Sequence, residues 1–515
     1  MRLLGNIIKR SFKIARRVQE IRLLPVDQQH KTLKRLLKKA QNTAFGKHYD
    51  FESMLNAPNA ETMVQQFQDK VPLHDYDSMH DNWWYRCLQN ETDVTWPGKV
   101  QYFALSSGTT GTPSKHIPVT KEMIRAMRRA GMKVFFSLTR YNIHPDMYTK
   151  DNVMLGGSTS LTDKGGYSVG DLSGINIGNR PFWIRGVSKP EGEIAAIADW
   201  ETRLQRIAER AKDWDVAFIS GIPSWNQLMI EKIVEYHRAK DIHEIWPNLT
   251  AFVHGGISFE PHRHSFEAMM RKPLIYIDTY LASEGFIAYQ NRPESRSMAL
   301  VENNGIFFEF IPFNDENFDG DGNLKGQPKT LTVHEVTTNK DYALILSTCA
   351  GAWRYLIGDT VRFTDFRRKE IVITGRTKQF LSICGEHLSV GNMNAGVEYV
   401  QKVLNTKMRE FTVCAVPANG TYAHRWYVGC DPQVDATRFA VLLDAELCRI
   451  NDDYATERKS VLGAIQMNII PSDLFIKWME VKGKLGGQHK FPRVMKKDMF
   501  AEWETFVAKS LKMSL

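Results

Sequence analysis

The sequence is poor in cysteine and has no long apolar run. It has six widely spaced cysteines: Cys87, Cys349, Cys384, Cys414, Cys430 and Cys448. None forms a C-x-x-C pair, which argues against a zinc cage or a disulfide framework and favours reduced thiols in the cytoplasm. No stretch approaches the ~18 consecutive apolar residues of a membrane-spanning helix. Charges interrupt every candidate secretory signal, so neither an integral membrane protein nor a secreted one is expected.

The chain also lacks the dispersed basic surface of a typical nucleic-acid-binding protein. Its net charge is +9, but residues 1–50 hold 13 of the 67 Lys and Arg and only 3 of the 58 Asp and Glu. That segment therefore carries +10 and the rest of the chain −1. Because the positive charge belongs to one end, nucleic acid is not an expected partner.

The basic end predicts amphipathic helices within residues 1–45, with Gly46 as the expected stop. Apolar residues recur at helical spacing in two groups: Leu4, Ile7, Ile8, Phe12, Ala15 and Val18, then Leu33, Leu36, Leu37 and Ala40. Such stripes are typical of helices that pack on the protein body, and we favour that interpretation. Contact of the first helix with an anionic membrane is the less favoured alternative.

From Val100 onward, short apolar runs alternate with helical segments, a pattern typical of α/β proteins. The predicted strands are Gln101–Leu105, Val153–Leu155, Val216–Ile219, Ala251–Val253, Leu274–Thr279, Gly305–Phe310, Leu331–Glu335, Tyr342–Ser347 and Ile371–Ile373. The run of strands from 305 to 347 predicts an antiparallel portion. A smaller β/α unit follows, so we expect a large domain over residues 1–375, a small one over 376–515 and a hinge near 375–378.

The strongest local motif is Ser106-Ser107-Gly108-Thr109-Thr110-Gly111, which follows a predicted strand and precedes a helix beginning near Thr120. Small hydroxyl residues and glycines expose backbone N–H groups that can wrap phosphate oxygens, and Lys115 adds positive charge. The spacing differs from that of a Walker A loop. On its own, the motif is equally compatible with ordinary turn chemistry.

Three further motifs carry candidate chemistry, although each has a plain structural alternative. Glu284, in Thr279-Tyr280-Leu281-Ala282-Ser283-Glu284-Gly285, follows a strand and suits Mg²⁺ bound to nucleotide phosphates. Asp359, after Gly358, can accept hydrogen bonds from the hydroxyls of a ribose. Lys490 lies in a glycine-rich basic segment typical of a mobile loop. The alternatives are a turn-capping glutamate, a Gly-Asp turn and a solvated charge run.

In order and spacing, these motifs resemble the Gretchen Hagen family of auxin-responsive acyl-acid–amido synthetases, part of the adenylate-forming superfamily. The resemblance extends from about residue 30 to 500. It is carried by Ser106–Thr110, Tyr280–Glu284, Tyr355–Asp359 and Gln488–Arg493, with support from the Val71-Pro72-Leu73 segment, Tyr76-Asp77, the His254-Gly255-Gly256 turn and Asn451–Tyr454 with Arg458.

The resemblance implies an α/β fold: a large N-terminal adenylate-forming domain with mixed sheets flanked by helices, and a smaller mobile C-terminal α/β domain. It also implies a shared site for ATP and Mg²⁺. The implied nucleotide-binding residues are Ser106, Ser107, Gly108, Thr109, Thr110, Gly255, Gly256, Thr279, Tyr280, Ser283, Asp359 and His387. Glu284 would meet Mg²⁺, Arg376 would lie at the hinge, and Lys490 would enter the site with the small domain during adenylation.

Two positions depart from the plant members of the family. Leu356 replaces an arginine of the Tyr-Arg-x-Gly-Asp motif, although Arg354 is retained just before Tyr355. His387 stands where plant members carry a lysine after the hinge. This second departure puts the role of His387, and the second half-reaction, in question.

The implied function is a two-step ligase that adenylates a carboxylic acid with Mg·ATP and transfers the acyl group to an amine, expected to be an amino acid. An acyl-CoA ligase using the same adenylate and a catalytically silent nucleotide-binding regulator stay open. Candidates for the acyl pocket are Met123, Met127, Phe218–Trp225 and Gly156–Gly178, which suggest an acid with an aromatic or aliphatic body. A monomer is the expected state.

Overall fold

The computed structural model describes most of the chain. The described residues are 2–22, 28–106, 115–181, 184, 186–319, 322–378, 380–381, 386, 388–418, 421–430, 434–460, 462–484 and 490–512. Within these ranges, no helix combines the length and the apolar character needed to cross a membrane. Ser107–Ser114 and His387 lie outside the described residues.

Helices of different lengths are distributed along the whole chain. They are α1 (Arg2–Arg22), α2 (Gln28–Ala40), α3 (Ala44–His48), α4 (Phe51–Leu55), α5 (Ala60–Lys70), α6 (Tyr76–Met79), α7 (Tyr85–Leu88), α8 (Lys121–Ser137), α9 (Leu172–Gly178), α10 (Gly192–Ala196), α11 (Trp200–Arg210), α12 (Pro223–His237), α13 (Glu260–Glu267), α14 (Val390–Leu404), α15 (Ala436–Ile450), α16 (Asp452–Ser460), α17 (Asp473–Val481) and α18 (Lys497–Lys512). A π-helical turn, His80–Trp84, joins α6 to α7, and 3-10 turns span Leu138–Arg140, Pro145–Thr149, Ala211–Asp213 and Ile242–Glu244.

The strands begin after the helical N-terminal region. They are β1 (Tyr102–Ser106), β2 (Lys115–Val119), β3 (Asp151–Leu155), β4 (Thr162–Asp163), β5 (Ser168–Gly170), β6 (Ser188–Lys189), β7 (Val216–Gly221), β8 (Ala251–Gly255), β9 (Ile275–Ala282), β10 (Gly285–Tyr289), β11 (Met298–Leu300), β12 (Ile306–Pro312), β13 (Leu331–Thr332), β14 (Asp341–Thr348), β15 (Tyr355–Asp365), β16 (Glu370–Arg376), β17 (Phe380–Leu381), β18 (Leu388–Ser389), β19 (Met408–Ala418), β20 (Thr421–Cys430) and β21 (Gln466–Ile470).

The largest sheet has twelve strands in the order β13-β12-β14-β15-β16-β11-β10-β9-β8-β7-β3-β6. Its two halves differ in direction: β9, β8, β7, β3 and β6 pair in parallel, whereas the pairs from β13 to β9 are antiparallel. A second sheet, β2-β1-β5-β4, pairs β1 with β5 in parallel. The mixed α/β class and the antiparallel portion expected from the sequence are therefore confirmed.

The last part of the chain builds a three-stranded sheet, β19-β20-β21, covered by helices on both faces. Alternate residues of β19 point to opposite faces. Phe411 and Val413 join a core with α14 and α15, while Cys414 and Val416 join a core with α17 and α18. This arrangement matches the predicted small β/α unit, whereas the domain limits at 375–378 stay a prediction.

Most predicted strands are found at the predicted places, because continuous apolar runs mark buried strands. The helix expected near Thr120 is α8, and the Thr120 hydroxyl caps it by accepting from the Met123 backbone N–H. Two predictions were wrong in extent. Only Leu331–Thr332 pairs within the run 331–335, and the second N-terminal helix ends at Ala40, so that Gly46 lies inside α3 instead of stopping α2.

Candidate functional site

The site begins at the turn between β9 and β10, where the large sheet changes from parallel to antiparallel pairing. Ser283 and Glu284 form this turn, since Ala282 pairs directly with Gly285. Both side chains are buried, and Glu284 is only 7% exposed. The pKa of the Glu284 carboxyl is raised to about 7, mainly by desolvation and in addition by the charge of Asp359, while a backbone hydrogen bond, Arg376 and Lys115 oppose the shift. A carboxylate this deeply buried is suited to a cationic partner.

Asp359 lies across from this turn on β15, opposite Arg376 on β16. One carboxylate oxygen accepts a hydrogen bond from the Tyr280 hydroxyl at 2.5 Å, and the other lies 3.0 Å from Nε of Arg376. Asp359 is the largest cause of the raised pKa of the Arg376 guanidinium. Tyr280, only 4% exposed, connects β9 through this bond to β15, although β16, β11 and β10 lie between the two strands in the sheet. The structure thus brings three of the sequence-predicted site residues into direct contact.

Two glycines at the end of β8 form another wall of the site. A side chain on Gly255 would place its Cβ 2.4 Å from the backbone oxygen of Thr279, so the close approach of β8 and β9 requires glycine here. The Thr279 hydroxyl supports the same approach by donating to the His254 carbonyl at 2.8 Å. Gly256 has a φ of +87°, which glycine adopts without strain. The wall is therefore bare backbone.

Lys490 reaches this wall from the small C-terminal unit. A Cβ built on Gly256 would lie 3.5 Å from Cε and 3.6 Å from Nζ of Lys490. The lysine side chain is exposed to solvent and lines a cavity together with Trp225, His262 and Phe491. Desolvation lowers its pKa to about 8, and the attraction of Asp359 only partly compensates. A residue more than 100 positions away from the other site residues in the sequence thus joins them in space.

Lys115 adds a second cation that the sequence reasoning noted only as compensating charge. Burial lowers its pKa, and the attraction of Glu284 opposes this shift. Its Nζ lies 4.9 Å from the ring centre of Tyr76, whose hydroxyl accepts from the His116 backbone N–H. Tyr76 was noted only as part of a supporting family motif, and nothing in the local sequence indicates that it would hold the start of β2.

The remaining predicted residues fall into two groups. Ser106 is the last residue of β1 and pairs in register with Lys115. Ser107, Gly108, Thr109, Thr110 and His387 lie outside the described residues. Arg354, retained beside the family motif, faces away from the cleft and forms a buried ion pair with Glu309. Arg354 is a structural residue. It does not take over the role of the family arginine whose position Leu356 occupies.

The candidate acyl-pocket residues lie next to the Glu284 turn only in part. Met123, on the buried side of α8, is close to Gly285. A Cβ atom built on Gly285 would lie 3.4 Å from Sδ of Met123. Met127 is buried on the same helix and contacts Asn176. Trp225 packs with Trp200 in a second core and also lines the cavity beside Lys490. The two methionines are therefore better placed than Trp225 to contact an acid bound near Glu284.

Family models match most of the chain in three consecutive parts. The GH3 family N-terminal domain matches residues 15–205, the GH3 family central domain 299–376 and the GH3 family C-terminal domain 392–499. The chain belongs to the GH3 family. This is the Gretchen Hagen family that the sequence motifs resemble, so that prediction is confirmed.

Two GH3 relatives found by sequence are synthetases of plants. Jasmonoyl--L-amino acid synthetase JAR4 of Nicotiana attenuata is 30% identical over 276 residues, which is 49% of this chain and 45% of that protein. Indole-3-acetic acid-amido synthetase GH3.4 of Arabidopsis thaliana is 25% identical over 236 residues, which is 42% of this chain and 38% of that protein. The chain thus matches less than half the length of these relatives.

Solved structures show that the GH3 likeness extends over the whole fold. The GH3.15 acyl acid amido synthetase superposes with a TM-score of 0.76 at 15% identity, covering 96% of both chains. A 2-hydroxyisobutyryl-CoA ligase in the postadenylation state superposes with a TM-score of 0.58 at 11% identity, covering 93% of this chain and 91% of that one. The fold is therefore that of the adenylate-forming enzymes, as the resemblance implied.

Proposed function

We propose that the protein is an ATP-dependent acyl-acid–amido synthetase that joins a carboxylic acid to an amine, with an amino acid as the acceptor. One observation carries the proposal. Lys490, Glu284, Asp359 and Arg376 come from three separated parts of the sequence, and in this GH3-family fold the paired charges of Asp359 and Arg376 act on both Glu284 and Lys490. The named activities of the plant relatives, which conjugate acids to amino acids, support the choice of acceptor.

The reaction has two steps. The acid carboxylate attacks the α-phosphorus of ATP, the bond to the β-phosphate breaks, and pyrophosphate leaves from the acyl-adenylate. The amine nitrogen then bonds to the acyl carbon, AMP leaves with the electron pair of the broken bond, and the nitrogen loses a proton. Such chemistry needs positioning and charge neutralisation more than a nucleophilic side chain.

Each residue of the cleft has a proposed part in the first step. Lys490 places its ammonium where two anionic reactants meet, and so reduces their repulsion. Asp359, held by Tyr280 and Arg376, orients the ribose. Gly255 and Gly256 let the adenine lie against backbone. Ser106, Ser107, Gly108, Thr109 and Thr110 are the proposed phosphate-binding residues, and Thr279, Ser283 and His387 are further proposed nucleotide-binding residues.

The donor set at Glu284 fits Mg²⁺. Its carboxylate oxygen is the hard ligand that this ion prefers, and its raised pKa reflects a buried charge that a divalent cation would stabilise. Among the described residues there is no group of three metal-ligating side chains, so the remaining ligands are proposed to be phosphate oxygens and water. When bound, the ion neutralises charge on the phosphates.

The substrate acid is proposed to have an aromatic or aliphatic body. Met123 and Met127 support this choice, because flexible thioether side chains adapt to apolar groups. The proposed compartment is the cytoplasm, where thiols stay reduced, because the cysteines in the described part of the chain form no disulfide.

The deciding experiment is exchange of labelled pyrophosphate into ATP across a library of acids, followed by mass analysis of products formed with mixed amino acids. Glu284→Gln and Lys490→Ala should each reduce exchange at least a hundredfold, the usual cost of losing one preorganised charge. Lys482→Ala is the matched control, since that lysine is paired with Glu502 on the surface. Near-normal exchange in both cleft variants would refute the assignment.

Two outcomes would select the alternatives. Formation of a CoA thioester without any amide would identify an acyl-CoA ligase, whose fold this chain shares. ATP binding without exchange for any acid would identify a nucleotide-binding regulator. The retention of both Glu284 and Asp359 favours the ligase, although an ATP-binding regulator could use the same two carboxylates, so the exchange assay decides between them.

A further inference from the structure

Helix α1 is apolar on two different sides, and only one of them packs on the protein. On the inner side, Gly5 is buried so closely that a Cβ would lie 2.3 Å from the Pro145 carbonyl oxygen. Phe12 contacts the rings of Phe136 and Tyr148 at centroid distances of 5.2 and 5.8 Å. The expectation that the helix packs on the body is therefore met by this side alone.

The outer side is an exposed stripe of five large apolar residues. Its members are Leu3 (77% exposed), Leu4 (54%), Ile7 (55%), Ile14 (56%) and Val18 (43%). At 100° per residue they lie within an arc of about 100° on the helix, separate from the inner side. They account for five of the 16 large apolar residues that are exposed in the described part of the chain. So many exposed apolar side chains on one helix indicate that this side of α1 binds a partner.

A cationic arc borders the exposed stripe. Arg10, Lys13 and Arg17 are exposed and lie on the helix surface between the stripe and the packed side. The sequence of α1 contains seven Lys and Arg and one acidic residue, Glu20. Residues 1–50 carry +10 while the rest of the chain carries −1, so the charge would orient this end towards an anionic surface.

We propose that the outer stripe and the cationic arc of α1 dock the protein on an anionic lipid bilayer. The helix would lie in the plane of the membrane, with its apolar stripe among the acyl chains and its cations among the headgroups. A second copy of the chain fits this surface less well, because pairing two stripes would bring two strongly positive helices together. Nucleic acid would use the cations but leave the apolar stripe exposed. This proposal is independent of the proposed ligase activity.

The test is sedimentation of the full chain with vesicles of phosphatidylcholine alone or with one third phosphatidylglycerol. We expect the protein to sediment with the anionic vesicles, at least tenfold more than with neutral ones, and to be released as salt is raised. Ile7→Ser combined with Ile14→Ser should reduce binding at least tenfold. Val441→Ser combined with Val481→Ser, which changes two equally exposed valines of the small unit, should leave binding unchanged.

Three results would overturn the proposal. The first is absence of sedimentation with anionic vesicles at low salt, and the second is unchanged binding in the Ile7/Ile14 variant. The third is a dimer in solution that this variant dissociates, which would assign the stripe to a second copy. Far-ultraviolet circular dichroism equal to that of the unchanged chain establishes that each variant is folded, so reduced sedimentation cannot be mistaken for unfolding.

Discussion

At the scale of single residues, the chemistry of the site depends on charged groups whose pKa values are shifted by the surrounding protein. Lys490 illustrates this, since it needs its proton to act as a cation but lies where burial favours the neutral amine. Its ordinary pKa of 10.5 is lowered to about 8. The lysine therefore loses charge within a pH range in which most lysines keep it.

This lowered pKa predicts an alkaline limit for adenylation. Lys490 is protonated below pH 8 and neutral above it, so kcat/KM for pyrophosphate exchange should fall on the alkaline side with an apparent pKa near 8. Lys490→Arg should move this limit above pH 10, because a guanidinium keeps its proton there. The measurement is the pH profile of kcat/KM for both proteins; an identical alkaline limb would show that another group titrates.

The hydroxyl of Tyr280 gives a second prediction at this scale. Tyr280→Phe removes the donor to Asp359 but keeps the ring, and a hydrogen bond to a charged group contributes about 1.5–3 kcal/mol. We expect the KM for ATP to rise about tenfold with a smaller change in kcat. Tyr236→Phe, at an exposed position on α12, is the control. An unchanged KM would mean that Arg376 alone holds the carboxylate.

At the scale of elements, the strand that carries Asp359 is anchored by a buried ion pair at its start. Arg354, just before β15, lies 3.1 Å from a carboxylate oxygen of Glu309 on β12, and the two side chains are 5% and 0% exposed. Arg354 also donates to the backbone carbonyls of Gln68 and Val71. The pair thus connects the large sheet to the N-terminal helices behind the cleft.

Breaking this pair should destabilise the protein far more than breaking a surface pair between neighbouring strands. Glu309→Gln leaves a buried guanidinium without its counterion, which typically costs about 3–5 kcal/mol. Asp341→Asn breaks the partly exposed pair with Arg362 on β14 and β15, and should cost at most about 1 kcal/mol. Thermal unfolding midpoints distinguish the two. Equal shifts would contradict a stabilising role for the buried pair.

The sequence predicts elements well where a single local signal decides them. The apolar run Val216–Ile219, for example, is a buried strand, and its apolar character predicts this without knowledge of its place in the sheet. The pairing of Asp359 with Tyr280 and Arg376 is not local, since it depends on strand order and register, which no single run encodes. The stripe of α1 shows the same limit: its spacing predicts an amphipathic helix, but only the packing of Gly5 and Phe12 determines which side is covered.

At the scale of the whole molecule, the small C-terminal unit is held against the large one by a surface ion pair as well as by Lys490. Arg409 on β19 lies 3.0 Å from Glu231 on α12. In this arrangement Lys490 is in the cleft, as adenylation requires in the proposed mechanism. If the small unit must move for the second step, fixing the contact between Arg409 and Glu231 should block amide formation and leave adenylation intact.

A reversible cross-link tests this separation. Glu231→Cys combined with Arg409→Cys, in a chain whose Cys384 and Cys448 are replaced by serine, can be joined by a short bis-methanethiosulfonate reagent; each cysteine thiolate forms a disulfide with the reagent and releases methanesulfinate, and a reductant cleaves the link. The linked protein should keep at least half of its rate of pyrophosphate exchange, whereas its rate of amide formation should fall more than tenfold. Cleavage of the link should restore both rates. Each single cysteine variant, treated identically, is the control. Full amide formation in the linked protein would contradict movement of the small unit.

The carboxylate of Asp359 has enough hydrogen-bond acceptor positions for both its protein partners and a ligand. An ionised carboxyl group offers about four lone-pair positions to donors. The Tyr280 hydroxyl takes one, and the Arg376 guanidinium forms an ion pair with the other oxygen, which leaves enough positions for the two hydroxyls of a ribose. A ribose can therefore bind without displacing either Tyr280 or Arg376. The binding site for the nucleotide is already arranged before the nucleotide enters.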